Sequence, residues 1–159
     1  MSSRVRDAVV ITGVFAVVGA VAGVVWEAWW TPPRGVAYEG QFVMDSVALQ
    51  SEFSATGSYV AISAALGLLL GVVLTALFDH DELVTLVAVA VGAVLAGWLM
   101  REVGAVLGPP DPRQLVGSLE DFTELPADLR VQGSAWVVFP AGALTGALVV
   151  LLGLTRSKV

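Results

Sequence analysis

Cysteine is absent from this 159-residue chain, histidine occurs once, and charged residues make up only 14%. Without cysteine there are no disulfides, no thiolate metal sites and no cysteine nucleophile. A lone histidine removes paired imidazoles for haem and any convincing Ser/His/Asp set, and neither H-E-x-x-H nor G-x-x-x-x-G-K-[ST] occurs. Eight Lys and Arg against fourteen Asp and Glu leave a net charge of −6, with no basic run of the kind that tracks a phosphate backbone. No nucleic-acid partner and no cofactor are expected.

What the chain has instead is apolar length. It is 57% hydrophobic, with a mean hydropathy of +0.83, whereas soluble domains carry about 25% charged residues. Four runs, 8–30, 57–78, 82–107 and 134–155, reach the ~20 residues that a bilayer crossing needs. The expected fold class is an all-α membrane protein, a single domain of four transmembrane helices running up-down-up-down. The first run is preceded by Arg4 and Arg6, but it is too long for a signal-peptide core and ends in bulky Trp29-Trp30, so an uncleaved anchor is expected. Trp26, Trp29 and Trp30 at its exit suggest an aromatic belt before Pro32-Pro33 stops the helix.

Two long loops, 31–56 and 108–133, connect the runs. Val36-Ala37-Tyr38 and Phe42-Val43-Met44 around Glu39-Gly40-Gln41 read as a hairpin, and the alternation of Leu129-Arg130-Val131-Gln132 makes it the natural third strand. The two loops are therefore expected to form a small extracytoplasmic β element. Asp45 to Phe53 reads as a short interfacial helix with Val47, Leu49 and Phe53 partly buried. Leu115, Leu119, Phe122 and Leu125 suggest short amphipathic pieces. At the tight turn Asp79-His80-Asp81-Glu82, a capping box of Asp79 with Glu82 is a better reading than a metal cluster, because consecutive turn residues rarely converge on one ion. Pro140 is expected to bend the fourth helix.

Arg4, Arg6, Arg156 and Lys158 at the ends, against Arg34, Arg113 and Arg130 in the long loops, place both termini in the cytoplasm of a plasma-membrane protein. Small residues four apart mark helix contacts: Gly19 and Gly23, Gly67 and Gly71 (flanked by Ser63 and Thr75), Ala93 and Gly97, Gly142 and Gly146. Two of these GxxxG-type rows end in a charge, Gly19-Gly23-Glu27 and Ala93-Gly97-Arg101. If they face each other, Glu27 and Arg101 meet just inside the outer leaflet. Such a pair would fix register more than it stabilises. Embedded charges also mark ligand sites, so Glu27, Arg101 and the adjacent Glu102 form the candidate site, with Glu102 directed at Arg130, Arg113 or water.

The sequence WEAWWTPP, the hairpin ending Phe42-Val43-Met44-Asp45, the Phe53-Ser54-Ala55-Thr56-Gly57 entry to the second run, and Trp98, Arg101 and Leu107-Gly108-Pro109 resemble a family of small four-helix actinobacterial integral membrane proteins. That family is a domain of unknown function, so the resemblance implies architecture and setting alone. With no catalytic set, the expectation is a non-enzymatic accessory or scaffold subunit of a cell-envelope or membrane complex. It would meet the lipid bilayer, a membrane-protein partner or copies of itself through acidic loops bearing Tyr38, Phe42 and Phe122. The alternative is a small transporter or lipid-binding protein with an outer-leaflet polar cavity around Glu27, Arg101 and Glu102.

Overall fold

Each of the four apolar runs becomes a helix long and apolar enough to cross a membrane. In the computed structural model, which describes residues 3–78 and 81–156, α1 spans Ser3–Trp29, α2 Ser46–Leu77, α3 Glu82–Leu107 and α4 Val138–Arg156. α2 begins well before its apolar run. The expected interfacial helix is the first part of α2, and Phe53 on it is exposed rather than partly buried; the side chains of Val47 and Leu49 lie outside the described residues. The N-cap of α3 is Asp81, whose carboxylate accepts from the Val84 N–H at 3.2 Å. The expected cap, Asp79, lies with His80 outside the described residues. Pro140 falls in the first turn of α4, where no intrahelical N–H is needed, so it starts the helix rather than bending it.

The helices associate as two parallel pairs, α1 with α3 and α2 with α4, joined mainly along α3 and α4. Glycine sets the spacing. A Cβ on Gly19 would lie 2.5 Å from the Ala96 Cα and carbonyl oxygen, and one on Gly23 2.7 Å from the Met100 carbonyl. In the second pair, Gly67 and Gly71 lie against the backbone of Phe139 and Ala143, while Gly142 and Gly146 lie against Ala64, Leu68 and Val72. Such close backbone approach gives the dispersion contact that holds helices together where no water is present to drive them.

Large side chains fill the space between the pairs. Phe15 meets Phe139 edge-on at 6.3 Å, and Trp26 meets Tyr59 at 5.1 Å. The Trp26 indole N–H donates to the Ala55 carbonyl at 2.9 Å and to Ser58 Oγ at 3.2 Å; the Tyr59 hydroxyl donates to the Gly97 carbonyl at 2.7 Å. The expected aromatic belt is thus corrected: Trp26 is 0% exposed and Trp30 is also buried, leaving Trp29, 76% exposed, as the outward member. Ring size with one N–H donor suits an interior site as well as an interface, and the sequence does not distinguish them.

At the end where α1 exits, β1 (Arg34–Tyr38), β2 (Gln41–Val43) and β3 (Glu124–Pro126) form an antiparallel sheet in the order β2-β1-β3. The β1–β2 turn is Glu39-Gly40, with φ of +48° and +72°, the conformation that a two-residue hairpin turn demands. The third strand is therefore not Leu129–Gln132. Leu129 is buried in the bundle core and rests on Gly108 at the end of α3, with Val131 packed beside it. Its alternation records burial against helix ends rather than pairing in a sheet. The expected amphipathic pieces are 3-10 turns, Pro112–Gln114 and Val116–Ser118, packed on β2, with Pro112 and Val116 as the buried residues and Leu115 and Leu119 outside.

Candidate functional site

The register between α1 and α3 decides where the charges fall. Phe15 needs space and finds it over Gly92; the Trp26 ring lies on Gly104. With these two rings seated, Gly19 rests on Ala96 instead of Ala93, and Gly23 on Met100 instead of Gly97. That three-residue slip is about 4.5 Å of rise and about 300° of rotation. The row of α3 facing α1 is Gly92-Ala96-Met100-Gly104, which has the same four-residue spacing and was equally visible in the sequence. Gly97 faces α4, against Trp136 and Phe139.

Consequently Glu27 and Arg101 do not pair. No ion pair joins them among the described residues, and the Glu27 carboxylate, half-buried, has no hydrogen-bond partner there. Arg101 instead has Glu102 beside it, with Nε 3.7 Å from Oε1, beyond hydrogen-bond reach. A double-mutant cycle of Glu27→Gln and Arg101→Gln, followed by thermal unfolding in detergent, should show each change within about 0.5 kcal/mol and additivity within about 0.5 kcal/mol. Coupling above about 1 kcal/mol would restore the direct contact.

Arg101 and Glu102 line a half-open cavity of 360 Å³ with Ala105 of the same helix and Asp128, Leu129, Arg130 and Val131 of the loop that precedes α4. Leu129, plugged into the bundle end, holds this segment in place. Arg130 is clamped: Nε donates to Asp128 Oδ2 at 2.5 Å and Nη2 to Asp111 Oδ2 at 3.2 Å. Partial burial alone would lower the Arg130 pKa, but the hydrogen bonds and charges of Asp128 and Asp111 outweigh it and raise the pKa above its ordinary value. Sequence reasoning paired Glu102 with Arg130 as one option and missed Asp128 and Asp111, although the local spacing Asp128-x-Arg130 was available as a signal. Among the described residues Arg113 forms no ion pair with Glu102, and its backbone N–H donates to Asp111 Oδ1 at 3.0 Å.

A larger depression of 490 Å³ at the sheet edge is lined by Thr31, Pro32, Arg34, Glu124, Leu125 and Pro126. Its charges are already matched, because Arg34 donates to Glu124 at 3.2 Å. Among the described residues no three metal-ligating side chains converge. Of the three expected aromatics, Tyr38 and Phe122 are exposed and in ring contact at 5.5 Å, whereas Phe42 folds over Gly35. No family model matches the chain, no curated protein is similar to it, and no solved structure matches it. The resemblance to the actinobacterial family accordingly rests on its short motifs alone.

Proposed function

We propose that the chain is a non-enzymatic integral protein of the cytoplasmic membrane, with both termini inside and the sheet outside, serving as an accessory or scaffold subunit of a membrane or envelope complex. The observation that carries the membrane reading is the outside of the helices. Val17, Val21, Leu69, Val73, Val91 and Val149 are all exposed, so the helices are apolar all round, as in a lipid-embedded bundle.

The contact role is supported by the sheet end. Phe122 is 71% exposed and sits at φ +68°, a conformation that costs a non-glycine residue of order 1 kcal/mol or more. Its N–H donates to the Ala37 carbonyl at 2.7 Å, and Asp121 Oδ1 accepts from the Glu39 N–H at 3.0 Å, so two loops cooperate to hold an aromatic ring outward. Glu39, Glu120 and Asp121 surround it, a setting suited to a basic partner surface. A second reading, lipid binding, has its own support in the Arg101 cavity. Transport is less favoured, since Phe15, Trp26, Tyr59, Met100 and Phe139 fill the interior between the helix pairs.

The absence of cysteine makes the topology directly testable. In intact cells Gln41→Cys and Ser118→Cys should react with a membrane-impermeant maleimide, and Ser3→Cys only after permeabilisation. The reverse pattern inverts the topology; release of the protein by carbonate wash removes the membrane reading. A discrete larger assembly in mild detergent that is lost with Phe122→Ala supports the scaffold role, and an unchanged monomer opposes it.

A further inference from the structure

The four ionised groups lining the 360 Å³ cavity balance, Arg101 and Arg130 against Glu102 and Asp128. They are not equivalent. Arg130 is committed to Asp128 and Asp111. Arg101 makes no hydrogen bond among the described residues, Glu102 accepts none there, and their side chains are 49% and 41% exposed. One guanidinium with its full set of donors therefore stands next to one carboxylate with its full set of acceptors.

We propose that this cavity binds a phosphoethanolamine headgroup, with the phosphate on Arg101 and the primary ammonium on Glu102. The planar guanidinium fork matches phosphate oxygens, and an ammonium offers three N–H donors to the carboxylate. Choline is a poorer fit: it has no N–H for Glu102, and recognition of a quaternary ammonium uses aromatic faces, none of which line the cavity. A glycerol headgroup supplies no cation for Glu102, so it leaves the phosphate charge without an internal counter-charge close to Glu102 and Asp128. The volume lies within the range of about 300–1,000 Å³ typical of small-ligand sites.

The ligand's source follows from what lies below. Arg101, Trp98, Val94 and Val91 recur at three- and four-residue spacing and are all exposed, so they form one outward column on α3. Acyl chains lying on that column would bring a headgroup to Arg101. Arg101 is six residues from the helix end at Leu107, about 9 Å at 1.5 Å per residue, and Trp98 just beneath it suits the interface. The assignment rests on the membrane reading. A chain released from the membrane would defeat that reading, whereas an embedded chain indifferent to headgroup would defeat this proposal alone.

The test is native mass spectrometry of the full-length protein, delipidated in detergent and titrated with phosphatidylethanolamine, phosphatidylcholine or phosphatidylglycerol of identical acyl chains. Phosphatidylethanolamine should be retained about tenfold more strongly than either rival. Arg101→Gln should lower that retention about tenfold, and Glu102→Gln should bring phosphatidylethanolamine and phosphatidylcholine to within about twofold. Should Arg101→Gln not fold, Glu102→Gln carries the test: a preference that survives it overturns the proposal, as does equal retention of the three lipids by the unaltered protein. Competition by soluble phosphoethanolamine but not inorganic phosphate supports recognition of both charges. Equal competition by inorganic phosphate reduces the site to an anion site and overturns it.

Discussion

Gly19→Val is expected to separate α1 from α3, destabilising the protein by about 3 kcal/mol or more, the upper end of the usual cost of overpacking. The reason is what the new side chain meets. Its first carbon would fall 2.5 Å from both the Cα and the carbonyl oxygen of Ala96, and backbone has no rotamer by which to yield. Nor does a slide along α3 help, since Phe15 over Gly92 and Trp26 over Gly104 hold the register above and below. Gly13→Val on the same helix is the control, because nothing lies within 4 Å of its Cβ position. Thermal unfolding in one detergent should separate the two variants clearly. Equal melting temperatures would mean that the α1–α3 contact contributes little.

The second large effect is expected at Trp26. Trp26→Ala should cost about 3–5 kcal/mol, the range for deleting a large buried aromatic side chain. Trp26 is fully buried, stacks edge-on to Tyr59 and ties α1 to the Ala55–Ser58 turn of α2. Trp26→Phe separates the two contributions. It keeps a ring against Tyr59 and removes only the N–H, and the Ala55 carbonyl still accepts from Ser58 Oγ at 3.0 Å. Its loss should therefore be nearer 1 kcal/mol than 3. A loss for Trp26→Phe as large as for Trp26→Ala would place the stability in the hydrogen bond rather than in packing.

The candidate site shows how local pattern and packing part company. Arg101 and Glu102 stood out because a charge in an apolar run is costly wherever it points, and both line the cavity. Glu27 stood out for the same reason and lies elsewhere. Spacing by four identifies faces of a helix but not which face meets which neighbour: Ala93-Gly97 and Gly92-Ala96 are equally good rows, one helical step apart. The row that meets α1 is the one whose two end glycines, Gly92 and Gly104, seat the rings of Phe15 and Trp26. Leu129–Gln132 misled in a related way, since burial of every second residue looks the same whether the cover is a strand or the end of a bundle.

Hydropathy alone sufficed for four helices, because a run of about twenty apolar residues has few other stable outcomes, and the α3 limits at 82–107 coincide with the apolar run. The hairpin around Glu39-Gly40-Gln41 was equally legible, being a local turn with a local signal, although the turn itself is Glu39-Gly40 and Gln41 begins β2. Partnership was not local. Which helices pair, in what register, and which segment completes the sheet depend on how large side chains fit against residues far along the chain, as Phe15 with Gly92, Trp26 with Gly104 and Leu129 with Gly108 do. Those fits turned a predicted ion pair between α1 and α3 into an open guanidinium and carboxylate on one helix, beside a loop of which the sequence had offered only Arg130 as a neighbour.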